Sequence, residues 1–430
     1  MENKRFKVLA MALWLSLFSS IDAYAQDLEI ALDDALAMFY QRNLDLIAAQ
    51  YNIDQAQAEA ISAGAIPNPT LGVQIAEISS KPNMGAAASG CNHDPNASCG
   101  VAEIYSFSQL IEVAGKRGLR IESSGFATQA AESDFRDALR IFSNLVSDAY
   151  YDLLLMQKNR WLAAEIFQHY QQLTSANQLR LKSGDIAESD FLRVKMEATR
   201  AESELDNAQA AVEQAQAKLA MILRWPDNSL QFVAKEQWPT VKEIGQQQSK
   251  EQLIELALQK RPEQADKQLE LARRLKYPDV TVNAGYARDP SNNALNSFFV
   301  GVNVPVPVFY QYQGESDKAA VALNQNRLAV EQTELNIRSE VVGALASWQS
   351  ADKILKRFNE GLLDDAQAVR KSAELAYSKG ATSVLDFIEA QRSYKNIMRD
   401  YYAAMINRTN AYYDLAKSLA VELNAPQVKP

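Results

Sequence analysis

KSGDIAESDFLRV, residues 182–194, and SKGATSVLDFIEA, residues 378–390, are two versions of one segment set 196 positions apart. Gly184 aligns with Gly380, Asp190 with Asp386, Phe191 with Phe387 and Leu192 with Ile388. The flanks extend the match. After the first copy, Leu205, Ala208, Val212, Ala215 and Leu219 form a stripe with 3,4 spacing. The same register after the second gives Tyr401, Ala404, Arg408, Ala411 and Leu415. A repeat at this period means one plan used twice. The halves are 26–224 and 251–420, joined by a linker at 225–250 and followed by a tail at 421–430.

Working outward, each copy sits between two long segments of helical character. Residues 115–182 hold no proline, and residues 314–379 repeat that feature at nearly equal length. At about 1.5 Å per residue, either stretch makes a helix of roughly 100 Å. In the second, Val341, Leu345, Trp348, Leu355, Leu362, Val369, Ala373 and Ala376 follow steps of three, four or seven, a coiled-coil-like seam. Beyond each glycine a second amphipathic stretch runs to about 223 and 420. The expectation is two helical hairpins, 115–223 and 314–420, turning at Gly184 and Gly380. A purely helical bundle is the plain alternative.

Four short segments speak against that bundle. They are expected as strands at about 68–78, 101–110, 279–288 and 298–308. Val280, Val282, Ala284 and Tyr286 alternate with Thr281, Asn283 and Gly285. Phe298, Val300, Val302 and Val304 share one face of the next strand. Leu71, Val73 and Ile75 alternate with Thr70, Gly72 and Gln74, and Tyr105 and Phe107 with Ser106 and Ser108. This is period-2 alternation at the length of a membrane β-strand. Four strands cannot enclose a channel, and open sheet edges are not tolerated in lipid, so several chains would have to contribute. A soluble hairpin layer is the alternative.

Residues 1–25 carry Lys4, Arg5 and Lys7, an apolar run from Val8 to Phe18, and Ala23-Tyr24-Ala25. That is the pattern of a secretory signal peptide, so a mature start at Gln26 is expected. A net charge of −9 without basic clusters argues against nucleic acid as a partner. Cys91 and Cys99 lie in a Gly-, Ala-, Ser- and Asn-rich stretch at 79–100. In an exported chain a local disulfide is the first reading, restricting the unfolded chain by roughly 2.5 kcal/mol. A metal site from Cys91, His93 and Cys99 is the other, although the spacing matches no strong zinc pattern. His93 and His169 are the only histidines. His169 falls in a helical stretch, where a packed or solvated helix surface is expected. There is no Gly-x-Ser-x-Gly elbow, phosphate loop or His-Glu-x-x-His, so neither catalytic residues nor a cofactor are expected.

These features together resemble the TolC-like outer-membrane efflux protein family over 26–420. The resemblance rests on the repeat, on Pro67-Asn68-Pro69 and Pro278-Asp279 opening the strand pairs, and on the two glycine turns. It rests also on IEVAGKRGLRI at 111–121 and NVPVPVF at 303–309. Gly115-Lys116-Arg117 is most similar to the CzcC-like, heavy-metal branch. The family implies a mainly α fold with a membrane β-barrel part: a homotrimer whose four strands per chain form a twelve-stranded barrel, continued by a long periplasmic α-helical tunnel. Residues near 26–45, 225–262 and 420–430 would form a belt around that tunnel. The loop 79–102 would be extracellular.

The implied function is a passive exit duct in the outer membrane. Its partners would be a periplasmic adaptor protein, an inner-membrane transporter of the resistance-nodulation-division class, and outer-membrane lipid. Heavy-metal cations are the expected substrate. Drug efflux or type I secretion through the same fold is the alternative, and a periplasmic adaptor a more distant one. The adaptor would dock at the hairpin tips, around Lys182, Ser183 and Gly184 and around Ser378, Lys379 and Gly380. Tyr377 matches a family tyrosine that bonds an aspartate of a neighbouring hairpin in the closed gate, and Asp190 matches that aspartate. Thr382 stands where the family has a gating arginine, which leaves other charges such as Lys379 to contribute. Asp386 and Glu389, three apart on one helix face, match the acidic places of a selectivity ring.

Overall fold

The computed structural model describes residues 26–76, 102–225, 230–239, 260–288 and 296–420. The signal segment, the Cys91–Cys99 loop, most of the 225–250 linker and the tail lie outside the described residues. The elements run β1 (Gln26–Ile30), α1 (Leu32–Arg42), α2 (Leu44–Gly64), β2 (Thr70–Ala76), β3 (Ala102–Ile111), α3 (Lys116–Lys182) and α4 (Glu188–Ile222). They continue with β4 (Leu230–Ala234), α5 (Lys260–Arg274), β5 (Val280–Arg288), β6 (Ser297–Asn303), α6 (Gln313–Arg357), α7 (Leu363–Ser378) and α8 (Val384–Ser418). The chain is mainly helical. Among the described residues no helix is long and apolar enough to cross a membrane.

Two compact units divide the chain, and each draws on both sequence halves: residues 48–136 with 254–335, and residues 1–47 with 137–253 and 336–430. The first holds one antiparallel sheet in the order β2-β3-β5-β6. Its registers place Leu71, Phe107, Ala284 and Val300 in one row across the sheet, and Val73, Tyr105, Tyr286 and Phe298 in another. These rows share the apolar face. The opposite face carries the row Thr70, Ser108, Asn283 and Gly301. The alternation read from the sequence is therefore the real division of the faces. The fourth strand ends at Asn303 rather than near 308. Pro305 and Pro307 follow, and proline has no N–H for a ladder.

Where β3 gives way to α3, two sequence motifs meet. Lys116 is only 5% exposed. Its Nζ donates to the Tyr277 carbonyl at 2.5 Å and pairs with Asp279 at 3.0 Å. Asp279 also accepts from the Val113 N–H at 3.0 Å. Gly115 takes φ +67°, with the Arg274 guanidinium bonded to the preceding carbonyl of Ala114. A buried ammonium needs such a set of acceptors. Here the Tyr277 carbonyl and the Asp279 carboxylate supply it to Lys116.

The second unit holds α1, α3 from residue 137, α4, α6 from residue 336, α7 and α8 with the parallel pair β1–β4. Tyr150 and Tyr151 are fully buried on α3 and donate to the carbonyls of Lys235 and Gln237 at 2.7 and 3.1 Å. They hold down the extended segment after β4. The long α3 is continuous over 67 residues, but its counterpart is not. The helix breaks at a kink between α6 and α7, where Glu360 takes φ −81°, ψ 15° and Gly361 takes φ 128°, ψ −17°. Across this kink the packed face shifts by one position. Leu355 keeps its place on the seam, but Leu362 and Val369 are 41% and 56% exposed. Ala366 and Tyr377 are buried instead. The single uninterrupted seam expected through Leu362 and Val369 is thus corrected to one that steps at the kink, while Ala373 and Ala376 stay half-buried.

Candidate functional site: the hairpin tips

Both tips are closed by the same backbone device. In the first, Gly184 at φ +80° donates to the Leu181 carbonyl at 3.1 Å, and Asp185 donates to Arg180 at 2.8 Å. In the second, Gly380 at φ +73° donates to Tyr377 at 3.0 Å, and Ala381 donates to Ala376 at 2.8 Å. This is the Schellman arrangement, which needs a left-handed residue after the helix. Glycine at 184 and 380 is the local cause of both turns. Lys182, Ser183, Gly184, Lys379 and Gly380 are all exposed at these tips.

The helices that follow start differently. Ser383 caps α8: its hydroxyl accepts from the Asp386 N–H at 3.1 Å and donates to the Asp386 carboxylate at 2.7 Å. The Thr382 hydroxyl at 3.0 Å and the Ser383 backbone N–H at 3.4 Å also donate to that carboxylate. This is a capping box with aspartate in the glutamate place. The Ser383 and Thr382 hydroxyls hold the Asp386 carboxyl below its ordinary value. In α4 the capping residue is Ala187, which offers no side-chain acceptor. Asp190, the aligned acid, has no hydrogen bond or ion pair from its carboxylate among the described residues. The two aspartates that look equivalent in the repeat therefore do different work.

Tyr377 lies inside the chain's own core. It is 7% exposed and stacks on Phe387 with ring centroids 5.1 Å apart. The Arg180 guanidinium sits 5.7 Å from its ring centroid. Its hydroxyl accepts from Asn177 Nδ2 at 2.9 Å. No bond joins it to Asp190 within the chain. Asp386 and Glu389 are exposed, on the side of α8 opposite the buried Phe387 and Ile388. One helix face presents both acids, as their spacing requires.

Sequence reasoning passed over several residues here. Asn177 is 1% exposed and is the internal partner of Tyr377. Arg392 pairs with Glu197, and Lys395 with Glu204 at 2.7 Å, tying α8 to α4. Arg370 pairs with Glu165 at 2.9 Å, tying α7 to α3. Glu197 and Glu204 are seven apart and Arg392 and Lys395 three apart, so helical spacing was the available signal. His169 is packed beside Phe387, its Nε2 3.2 Å from Gln391 Nε2. Among the described residues no group of three or more His, Cys, Asp or Glu is placed to hold a metal ion.

Comparison with known proteins accords with this architecture. The chain is 24% identical over 380 residues to the cobalt-zinc-cadmium resistance protein CzcC of Cupriavidus metallidurans, covering 85% of this chain and 84% of the relative. In fold it is similar to the outer membrane protein VceC of Vibrio cholerae, with a TM-score of 0.73 at 18% identity, covering 90% of this chain and 95% of that one. A membrane protein from Pseudomonas aeruginosa gives a TM-score of 0.74 at 17% identity, covering 90% and 93%. The model of the outer membrane efflux protein family matches residues 35–223 and 253–421, and the chain belongs to that family.

Proposed function

We propose that the chain is the outer-membrane duct of a tripartite efflux system that expels heavy-metal cations. One observation carries this reading: the open four-stranded sheet exposes an apolar face, with Leu71, Phe298 and Val300 at 83%, 84% and 79% exposure. Its two edge strands, β2 and β6, each have one unpaired side. They also run in opposite directions, so β6 beside β2 of the next copy keeps antiparallel order. Three chains then close a barrel of twelve strands, apolar outside and polar within. The two hairpins of each chain, one plan repeated, continue this barrel as the periplasmic tunnel, and the loop 79–102 is extracellular. A periplasmic adaptor grips the tips at Lys182, Ser183, Gly184, Lys379 and Gly380, and a transporter of the resistance-nodulation-division class supplies the energy. Asp386 and Glu389 form stacked acidic rings that draw cations. Tyr377 and Asp190 belong to the gate. Heavy-metal cargo draws its support from the relative that confers cobalt-zinc-cadmium resistance.

The test is fractionation with a resistance assay. The chain is expected in the outer-membrane fraction as detergent-resistant trimers, and its loss should sensitise cells to zinc, cobalt or cadmium. Monomers outside the membrane fraction would overturn the channel. Trimers with unchanged metal tolerance would overturn the cargo.

A further inference from the structure

The polar face of the sheet carries one aromatic side chain among its described strand residues, Phe299. The registers put Gly72, Ser106, Gly285 and Phe299 in one row across all four strands. The phenyl ring reaches over Gly285. A Cβ there would come within 2.5 Å of Phe299 Cε1 and 2.6 Å of the Tyr105 carbonyl oxygen. Glycine at 285 therefore gives the ring its seat. An aromatic covering a cross-strand glycine also shields bare backbone, so the seat and the ring stabilise each other. At the other end of the row the side chains are small: a Cβ on Gly72 would meet the Ser106 hydroxyl at 2.7 Å.

We propose that Phe299, seated on Gly285, sets the free cross-section of the barrel at this row and so the size of solute that passes. Resting on the reading that the polar face lines the lumen, this makes three such rings, one per chain, a band of otherwise small side chains. With the ring seated over Gly285, the lumen is at its widest for this row. Any side chain at 285 lifts the ring off the wall and into the path. Neutral aromatic edges in a polar lumen act by size, and by resisting hydrated ions when they crowd together.

The test places a cysteine behind the band. Thr281 is on the same face of β5 as Gly285, towards the helix-bearing end. In a chain with Cys91 and Cys99 replaced by Ser, Thr281→Cys is labelled on intact cells with a small, membrane-impermeant thiol reagent and with a bulky maleimide-polymer conjugate. The small reagent should react equally in all variants. The bulky one should react several-fold more slowly in Gly285→Ala, several-fold faster in Phe299→Ala, and at the faster rate in the double variant. If Gly285→Ala yields no trimers, Phe299→Ala against Phe299→Trp makes the same comparison. No labelling by the small reagent means that the polar face does not line a water-filled lumen, and the channel reading fails. Labelling by the small reagent with equal bulky rates in every variant overturns the role of Phe299 alone. Slowing in Gly285→Ala that persists with Phe299→Ala also overturns it, because the ring is then not what moved.

Discussion

Asn177 on α3 donates its side-chain N–H to the hydroxyl of Tyr377 on α7 at 2.9 Å, across 200 positions of sequence. The bond joins the two tip hairpins inside one chain, and both partners are buried. Tyr377→Phe leaves the Asn177 amide without its acceptor in an apolar cluster. An expected loss of about 1–3 kcal/mol follows, read as a lower melting temperature by circular dichroism. Asn177→Leu with Tyr377→Phe should recover much of it, because both polar groups are then gone. Asp190 bears on the gate separately. With Tyr377 and Asp190 locking the gate across the trimer, Tyr377→Phe combined with Asp190→Ala raises single-channel conductance above that of the unaltered protein, and unchanged conductance means that the lock is not here.

Replacing Asp386 and Glu389 by Ala should abolish the cation selectivity of the trimer and its block by multivalent cations from the periplasmic side. The Asp386 carboxylate also caps α8, so Asp386→Ala carries a helix-cap cost of about 1 kcal/mol. Asp386→Asn with Glu389→Gln keeps side-chain acceptors and removes only charge. Unchanged reversal potentials in that variant would refute the acidic ring. Because its hydrogen bonds hold Asp386 below the usual carboxylate range, selectivity should survive mild acidification. The Asp386 share of it should fade as pH falls through that lowered value.

Asp148 gives a pH dependence of the opposite sign. Burial, aided by Asp414, raises its pKa to about 6. A carboxyl raised in the folded state costs stability while ionised, so the penalty is complete above about pH 6. It falls away towards the ordinary value as the group protonates. Asp148→Asn should therefore raise the melting temperature at pH 8 and change it little at pH 4. A gain of equal size at both would show that the carboxylate's charge is not the cause.

The kink can be tested by length. Deleting Gly361 removes the left-handed residue and the one-position shift of the packed face, and α6 and α7 can then join as one helix with the same residues packed. Helicity and burial of Tyr377, followed by near-ultraviolet circular dichroism, should be kept. Gly361→Val instead forces a branched side chain into φ 128°, with an expected cost of about 1–3 kcal/mol. Loss of folding on deletion would mean that the seam does not step as described.

Much of this protein was legible in its residues because periodicity is a local property. Alternation at about 68–78, 101–110, 279–288 and 298–308 marked the strands found at 70–76, 102–111, 280–288 and 297–303, and the glycines at 184 and 380 marked turns, since only a left-handed residue closes such a helix end. The short helices α1, α2 and α5 escaped, lying where only a belt or strand entry was expected. The repeat aligned Asp190 with Asp386 but could not separate them, because a capping box depends on Ser383 against Ala187 in three dimensions. The heptad count carried the seam to Leu362 and Val369. The kink at Glu360 and Gly361 shifts that face by one position, and period counting has no term for a kink. Asn177 with Tyr377, Lys116 with Asp279 and Phe299 with Gly285 were chosen by the tertiary structure alone. The first two pairs join elements far apart in sequence and the third depends on the register of β5 against β6, and burial and register decide which polar or aromatic group finds which neighbour.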